Sequence, residues 1–306
     1  MMGLGDAIMA LVGPILEMIA PLMPGDIFPY FFSWDYFQRP LIAAVMVTIV
    51  AGILGCYLLI QHLALMGDGL AHVAFGGVAI GIVLGATAPV SYALVFSIAA
   101  SILIHEMQYR EMLTGDASIA IFLTGMLALG LVVLRLGGGA ITTDIEAYLF
   151  GSLYMINESD LDLISFVCIG SVIVLAFIRN GLLACAIDPV SARVQGIPVR
   201  TIGLMFSVTT AAVVVVMVQV VGTLLVTALL VTPAATAQLI SRSFRQCILW
   251  TQAFGFSSVI LGIYFSAEYD TGGGSMIALV AAIIFAVVAI SKVTINAFIK
   301  ADDNLN

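Results

Sequence analysis

The chain has 306 residues, of which 62% are hydrophobic and 9% charged, and its net charge is -8. A soluble globular domain carries about 25% charged residues, so a water-soluble fold is excluded, and continuous rather than alternating apolar runs exclude a membrane β-barrel. Ten Lys and Arg against eighteen Asp and Glu, with no basic cluster, exclude a nucleic-acid partner.

Runs of about 20 apolar residues satisfy their backbone in lipid only as helices. The expected fold class is therefore all-α, a polytopic integral membrane bundle of about nine transmembrane helices. In chain order, residues 1–40 form an N-terminal segment. Within it, 4–24 is apolar but is interrupted by Asp6 and Glu17 and punctuated by Pro14, Pro21 and Pro24. An interfacial helix and an extra span are both open there. No basic stretch precedes an apolar run, so no cleavable signal peptide is expected. The transmembrane domain covers 41–296, with spans near 41–61, 68–87, 90–109, 117–136, 162–179, 201–218, 220–240, 247–266 and 275–296. Residues 297–306 form a tail.

Basic residues orient the spans. One side carries Arg110, Arg179, Arg193, Arg200, Arg242, Arg245, Lys292 and Lys300. The other carries only Arg39 and Arg135, with Asp144, Glu146, Glu158, Asp160, Asp162, Glu268 and Asp270. The first side, with segment 180–200 and the C-terminus, is expected to be cytoplasmic. The inner segment 180–200 and the outer segment 137–160 are the longest connections, and partners are expected to dock there.

An ionisable residue inside a span is a functional candidate, since Asp near a helix centre costs roughly 2.5–3.5 kcal/mol. Asp68 and His72 are four apart in the second span and so share one helix face. A carboxylate and an imidazole so placed can ligate one divalent cation such as Zn²⁺ or Mn²⁺. On the bland reading Asp68 caps the helix and His72 is a packed bundle histidine. Gly77, Gly81 and Gly85 form a small-residue ridge for helix packing, roughly opposite that pair. In the seventh span Thr223 and Thr227 share a face and Thr232 and Thr236 share another. Pro233 is expected to break or kink that helix, for packing or as a gate. His62 and His105 fall at inner helix ends and read as interfacial.

Cys56, Cys168, Cys185 and Cys247 are far apart in sequence without a Cys-x-x-Cys spacing, which reads as packing. No P-loop, H-E-x-x-H or G-x-S-x-G motif occurs. The chain is thus expected to be a non-enzymatic transporter, channel or scaffold, with no ATPase motif and no permanently bound cofactor.

Met66-Gly67-Asp68-Gly69-Leu70-Ala71-His72, followed by Phe75-Gly76-Gly77-Val78-Ala79, resembles the signature of the manganese/zinc/iron ABC permeases, usually G-D-A-x-x-H and L-P-G-V-A. Asp188-Pro189 and Ala192 before Gly196-Ile197-Pro198 resemble the family's cytoplasmic coupling segment. The stretches from Gln219 to Val226 and from Leu230 to Ala237 form a third match, and the three cover about residues 38–296. The resemblance implies the membrane subunit of an ATP-driven metal importer, working as a homodimer. A cytoplasmic ATP-binding subunit would dock on Asp188, Pro189, Ala192, Gly196, Ile197 and Pro198, and an extracellular metal-binding protein would deliver the ion. Asp68 and His72 are then metal residues, for transported Zn²⁺ or Mn²⁺, with Fe²⁺ also open. Gln61-His62 stands where the family often has a basic pair. Phe75-Gly76 stands where it has Leu-Pro, which predicts a straighter helix. The rival readings are a permease for a metal chelate or vitamin, a stand-alone secondary transporter or channel, and an assembly scaffold.

Overall fold

A computed structural model describes residues 3–86, 88–137, 151 and 156–303, without the side chains of Leu224 and of 298–303. Most of the predicted outer docking segment 137–160 lies outside the described residues. Among those residues every element is helical: α1 (Leu4–Ile19), α2 (Tyr30–Ser33), α3 (Asp35–Ile60), α4 (Met66–Val83), α5 (Pro89–Tyr109), α6 (Gly115–Leu136), α7 (Glu158–Ile187), α8 (Pro189–Val194), α9 (Val199–Val221), α10 (Val226–Leu230), α11 (Thr232–Ile240), α12 (Phe244–Tyr269) and α13 (Gly273–Asp303).

Helix ends follow local chemistry. Pro89 opens α5, where its missing N–H costs nothing. Asn157 caps α7 in a reciprocal box with Asp160. Asp270, at φ 50°, closes α12. Inside the helices, the hydroxyls of Thr48, Thr209, Thr210 and Thr251 donate to the carbonyl four residues back, so none of them is buried unpaired.

Nine described helices are long and apolar enough to cross a membrane, but they are not quite the nine spans expected from sequence. The predicted span 220–240 is discontinuous. Gly222, at φ +86°, ends α9, a 3₁₀ turn (Thr223–Leu225) follows, and α10 gives way to α11 at Val231. Glycine alone adopts such a φ freely, and Pro233, in the first turn of α11, withholds an N–H from the turn before it. The segment still runs the length of the bundle. Gly222 lies beside Gly151 at one end, and Phe244, just past the other, meets Tyr57 edge to face with ring centres 5.0 Å apart.

In place of that span the ninth apolar helix is α1 with its 3₁₀ turn. Among the described residues, its polar and glycine contacts gather at one end of the bundle. The Gly5 N–H donates to Asp162 at 2.6 Å, Gly13 abuts Gln38, and the chain just beyond donates from Ile27 and Phe28 to Glu268. These partners sit at the start of α7, the start of α3 and the finish of α12.

Segment 180–200 is not an irregular loop. α7 continues through the apolar residues 181–187 to Ile187, and α8 follows directly. The most buried helices are α3, α4 and α9. In their apolar windows 78%, 78% and 72% of residues are buried, against 17% in α13. Peripheral helices present apolar stripes such as Phe166, Ile173 and Phe177 on α7, the last 86% exposed, as a bilayer requires.

Candidate functional site

α3 ends at Ile60, and His62, at φ 57°, turns the chain so that α4 starts at Met66. Asp68 therefore lies in the first turn of α4, where a negative charge suits the helix dipole. The cap position is Leu65 and no side chain caps it, so Asp68 is not held as a cap. His72 lies one turn on. Its Nε2 is 3.7 Å from Asp68 Oδ1, an ion-pair distance beyond hydrogen bonding. The His72 side chain is 10% exposed and that of Asp68 31%. His72 Nδ1 is buried with no hydrogen-bond partner. A buried ring nitrogen without a partner is unfavourable unless something else occupies it. The pair can thus offer one oxygen and one nitrogen to a cation. Among the described residues no group of three or more His, Cys, Asp or Glu stands together to hold a metal.

Glycines set what surrounds this pair. A Cβ on Gly67 would lie 2.5 Å from a Leu230 methyl, so α4 begins tight against the last residue of α10. A Cβ on Gly69 would lie 2.5 Å from Ile119 of α6. Gly77 and Gly81 face α5, where a Cβ on Gly77 would lie 2.8 Å from the Ala93 Cα. Gly85 does not extend that ridge. It follows the end of α4, takes φ +68° and has nothing within 4 Å of a Cβ. Pro233 is buried at the start of α11, on the far side of the break from α10.

The 188–198 residues form one small structure at the opposite end from α1. Asp188 caps α8, accepting from the Val190 and Ser191 amides at 2.9 and 3.1 Å and from the Ser191 hydroxyl. The hydroxyl first, and then the amides, hold the Asp188 carboxyl below its ordinary value. Pro189 opens the helix, and Ala192 is its buried residue. Gly196, at φ +80°, reverses the chain, the Ile197 N–H returns to the Ala192 carbonyl, and Pro198 precedes α9. Ile187, Val190 and Val194 are left 72%, 71% and 85% exposed.

Sequence reasoning missed what anchors this structure. The Arg193 and Arg200 guanidinium carbons lie 5.5 and 5.7 Å from the centre of the Tyr109 ring. Arg200 also donates from Nε and one Nη to Glu106, which accepts from Arg110 as well, and the Arg200 carbonyl lies 3.1 Å from His105 Nε2. His105, Glu106 and Tyr109 are on consecutive turns of α5, a spacing the sequence shows but whose partners, some 90 residues away, it does not.

A family profile described as the ABC 3 transport family matches residues 33–292. The manganese transport system membrane protein MntC of Halalkalibacterium halodurans is 32% identical over 259 residues, 85% of this chain and 88% of that protein. The high-affinity zinc uptake system membrane protein ZnuB of Haemophilus influenzae is 29% identical over 248 residues, 80% of this chain and 93% of that protein. Among solved structures, PsaBC from Streptococcus pneumoniae in complex with Fab superposes with a TM-score of 0.74 at 30% identity, covering 85% of this chain and 92% of that one.

Proposed function

This chain belongs to the ABC 3 transport family, and on that premise we propose that it is the membrane permease of an ATP-driven importer for a divalent transition metal. The cargo is Mn²⁺ or Zn²⁺, after the relatives named for each, and Fe²⁺ shares their ligand chemistry. The observation that carries the reading is the Asp68–His72 pair, in which His72 Nε2 faces a carboxylate one turn away, while Nδ1 on the other edge of the ring is buried with no partner. Two protein ligands hold a cation weakly enough to release it. The break between α9 and α11 supports the same place. Non-helical backbone at membrane depth is tolerated where it lines a cavity or is buried in protein, and here the side chain of Leu230, the last residue of α10 before the break at Val231, packs against Gly67, next to Asp68.

ATP hydrolysis belongs to a separate cytoplasmic subunit, which docks on the apolar face that Ile187, the last residue of α7, forms with Val190 and Val194 of α8. Asp188, Pro189, Ala192, Gly196, Ile197 and Pro198 shape that face. Its movement reaches α5 through Arg193 and Arg200 on Tyr109 and through Arg200 on Glu106, and reaches α4 across the close contacts of Gly77 and Gly81. An extracellular metal-binding protein delivers the ion at the opposite end, two permeases work as a homodimer, and α1 lies in the outer interface.

The test is ATP-dependent flux of Mn²⁺, Zn²⁺ and Fe²⁺ through the reconstituted complex. Asp68→Ala and His72→Ala are expected to abolish uptake while the complex still assembles. Wild-type flux in both variants would overturn the site.

A further inference from the structure

We propose that Cys56 and Cys247 form a two-thiol site for a soft divalent d¹⁰ cation, Zn²⁺ or Cd²⁺, at the α8 end of the bundle. Their Sγ atoms are 3.9 Å apart although 191 residues separate them in sequence. Cys56 lies in the last turns of α3 and Cys247 in the first turn of α12. Both are free thiols, 0% and 6% exposed. Ala234 and Ala237 of α11 close the third side of the pair. The Thr251 hydroxyl lies 3.2 Å from Cys56 Sγ. Gly52, one turn before Cys56, gives Thr251 and Gln252 the space they occupy, which brings α12 this close to α3.

The spacing suits the chemistry. Two thiolates on a tetrahedral ion with metal–sulfur bonds of about 2.3 Å stand about 3.8 Å apart, so the helices need not shift to share one cation. Binding turns two thiols into two thiolates and releases two protons to water, so affinity rises with pH. Thr251 and water complete the coordination. No third Cys, His, Asp or Glu joins among the described residues, so the site exchanges its ion rather than sealing it in. Thiolates favour soft cations, whereas Mn²⁺ prefers oxygen; the pair therefore separates Zn²⁺ and Cd²⁺ from Mn²⁺. An ion held here ties α3 to α12 beside α11, the half-helix after the break, and slows transport. That last consequence rests on the proposed permease activity; the binding does not.

The full-length permease, purified in detergent and reduced, is titrated with Cd²⁺ and followed by the ultraviolet thiolate-to-cadmium absorbance. The wild type should develop a band saturating at one ion per chain. C56S and C247S should lose it, and C168S and C185S should keep it. Excess Zn²⁺ added first should suppress the wild-type band, and the same excess of Mn²⁺ should not. A wild type without the band, a band that survives in both C56S and C247S, or suppression by Mn²⁺ equal to that by Zn²⁺ would each overturn the site. Reconstituted flux tests the clamp separately. Cd²⁺ on the α8 side should inhibit the wild type and spare C247S, and equal inhibition with an intact wild-type band rejects the clamp alone.

Discussion

At Gly77 a methyl group would meet the Ala93 Cα at 2.8 Å and the Tyr92 carbonyl oxygen at 2.9 Å, backbone atoms that cannot turn aside. Gly77→Ala therefore pushes α4 off α5, at a cost of about 1–3 kcal/mol. Gly125→Ala adds its methyl where nothing lies within 4 Å, and in the interior of α6 alanine should favour the helix over glycine by about 0.5–1 kcal/mol. Thermal unfolding of the two variants in detergent measures the difference, and equal midpoints would remove the seam from the account. Periodicity makes this seam readable in sequence, because residues four apart must share a helix face. It misleads at Gly85, which keeps the spacing after the helix has ended at Val83 and serves the turn instead. Periodicity is silent on Cys56 and Cys247, whose approach depends on how α3 and α12 pack, not on either helix alone.

At the scale of an element, α8 depends on the residue that caps it. Asp188→Ala removes the hydrogen bonds from two backbone amides and one hydroxyl, and with them the cap on the first turn. With only six residues, α8 then frays, and binding of the ATP-binding subunit should weaken in a pull-down from detergent while the bundle's melting temperature holds. The pH dependence has a definite sign. The folded carboxyl titrates below its unfolded value, so the cap contributes fully above the ordinary carboxylate range and is lost only as pH falls through the depressed value. Association should thus be level from about pH 8 to pH 5; a loss near neutral pH would show that another group governs docking. Tyr109→Ala tests the next link. It should leave ATP hydrolysis in place and lower the metal moved per ATP, whereas an unchanged ratio would exclude α5 as the route. The Asp-Pro start and the Gly-Ile-Pro finish of this element are legible as helix punctuation. Its attachment to α5 is not, because a cation over an aromatic ring leaves no local pattern.

Over the whole molecule, charge and the path of the chain agree on two ends. Asp162, Glu268 and the N-terminal segment gather at one, and Arg193, Arg200, Arg242 and the α8 face belong to the other. The second end also holds the excess of basic residues, which is the ground for proposing it as the cytoplasmic end. Sequence alone left α1 undecided because hydropathy measures how apolar a helix is and not which way it lies. Leu4, Leu11, Ile15, Met18 and Leu22 are exposed and fall on one stripe, while the inward side meets the starts of α3 and α7. A helix apolar on both of those sides but contacting one end of the bundle fits the lipid surface along its length. A membrane-impermeant thiol reagent separates this arrangement from a crossing. Applied to intact cells, it should label Ala7→Cys and Asp26→Cys but not Val194→Cys, and inside-out vesicles should reverse the pattern. If α1 crossed the bilayer, Ala7→Cys and Asp26→Cys would react from opposite sides. If all three reacted together from outside, the inner position of α8, and with it the docking of an ATP-binding subunit there, would fall.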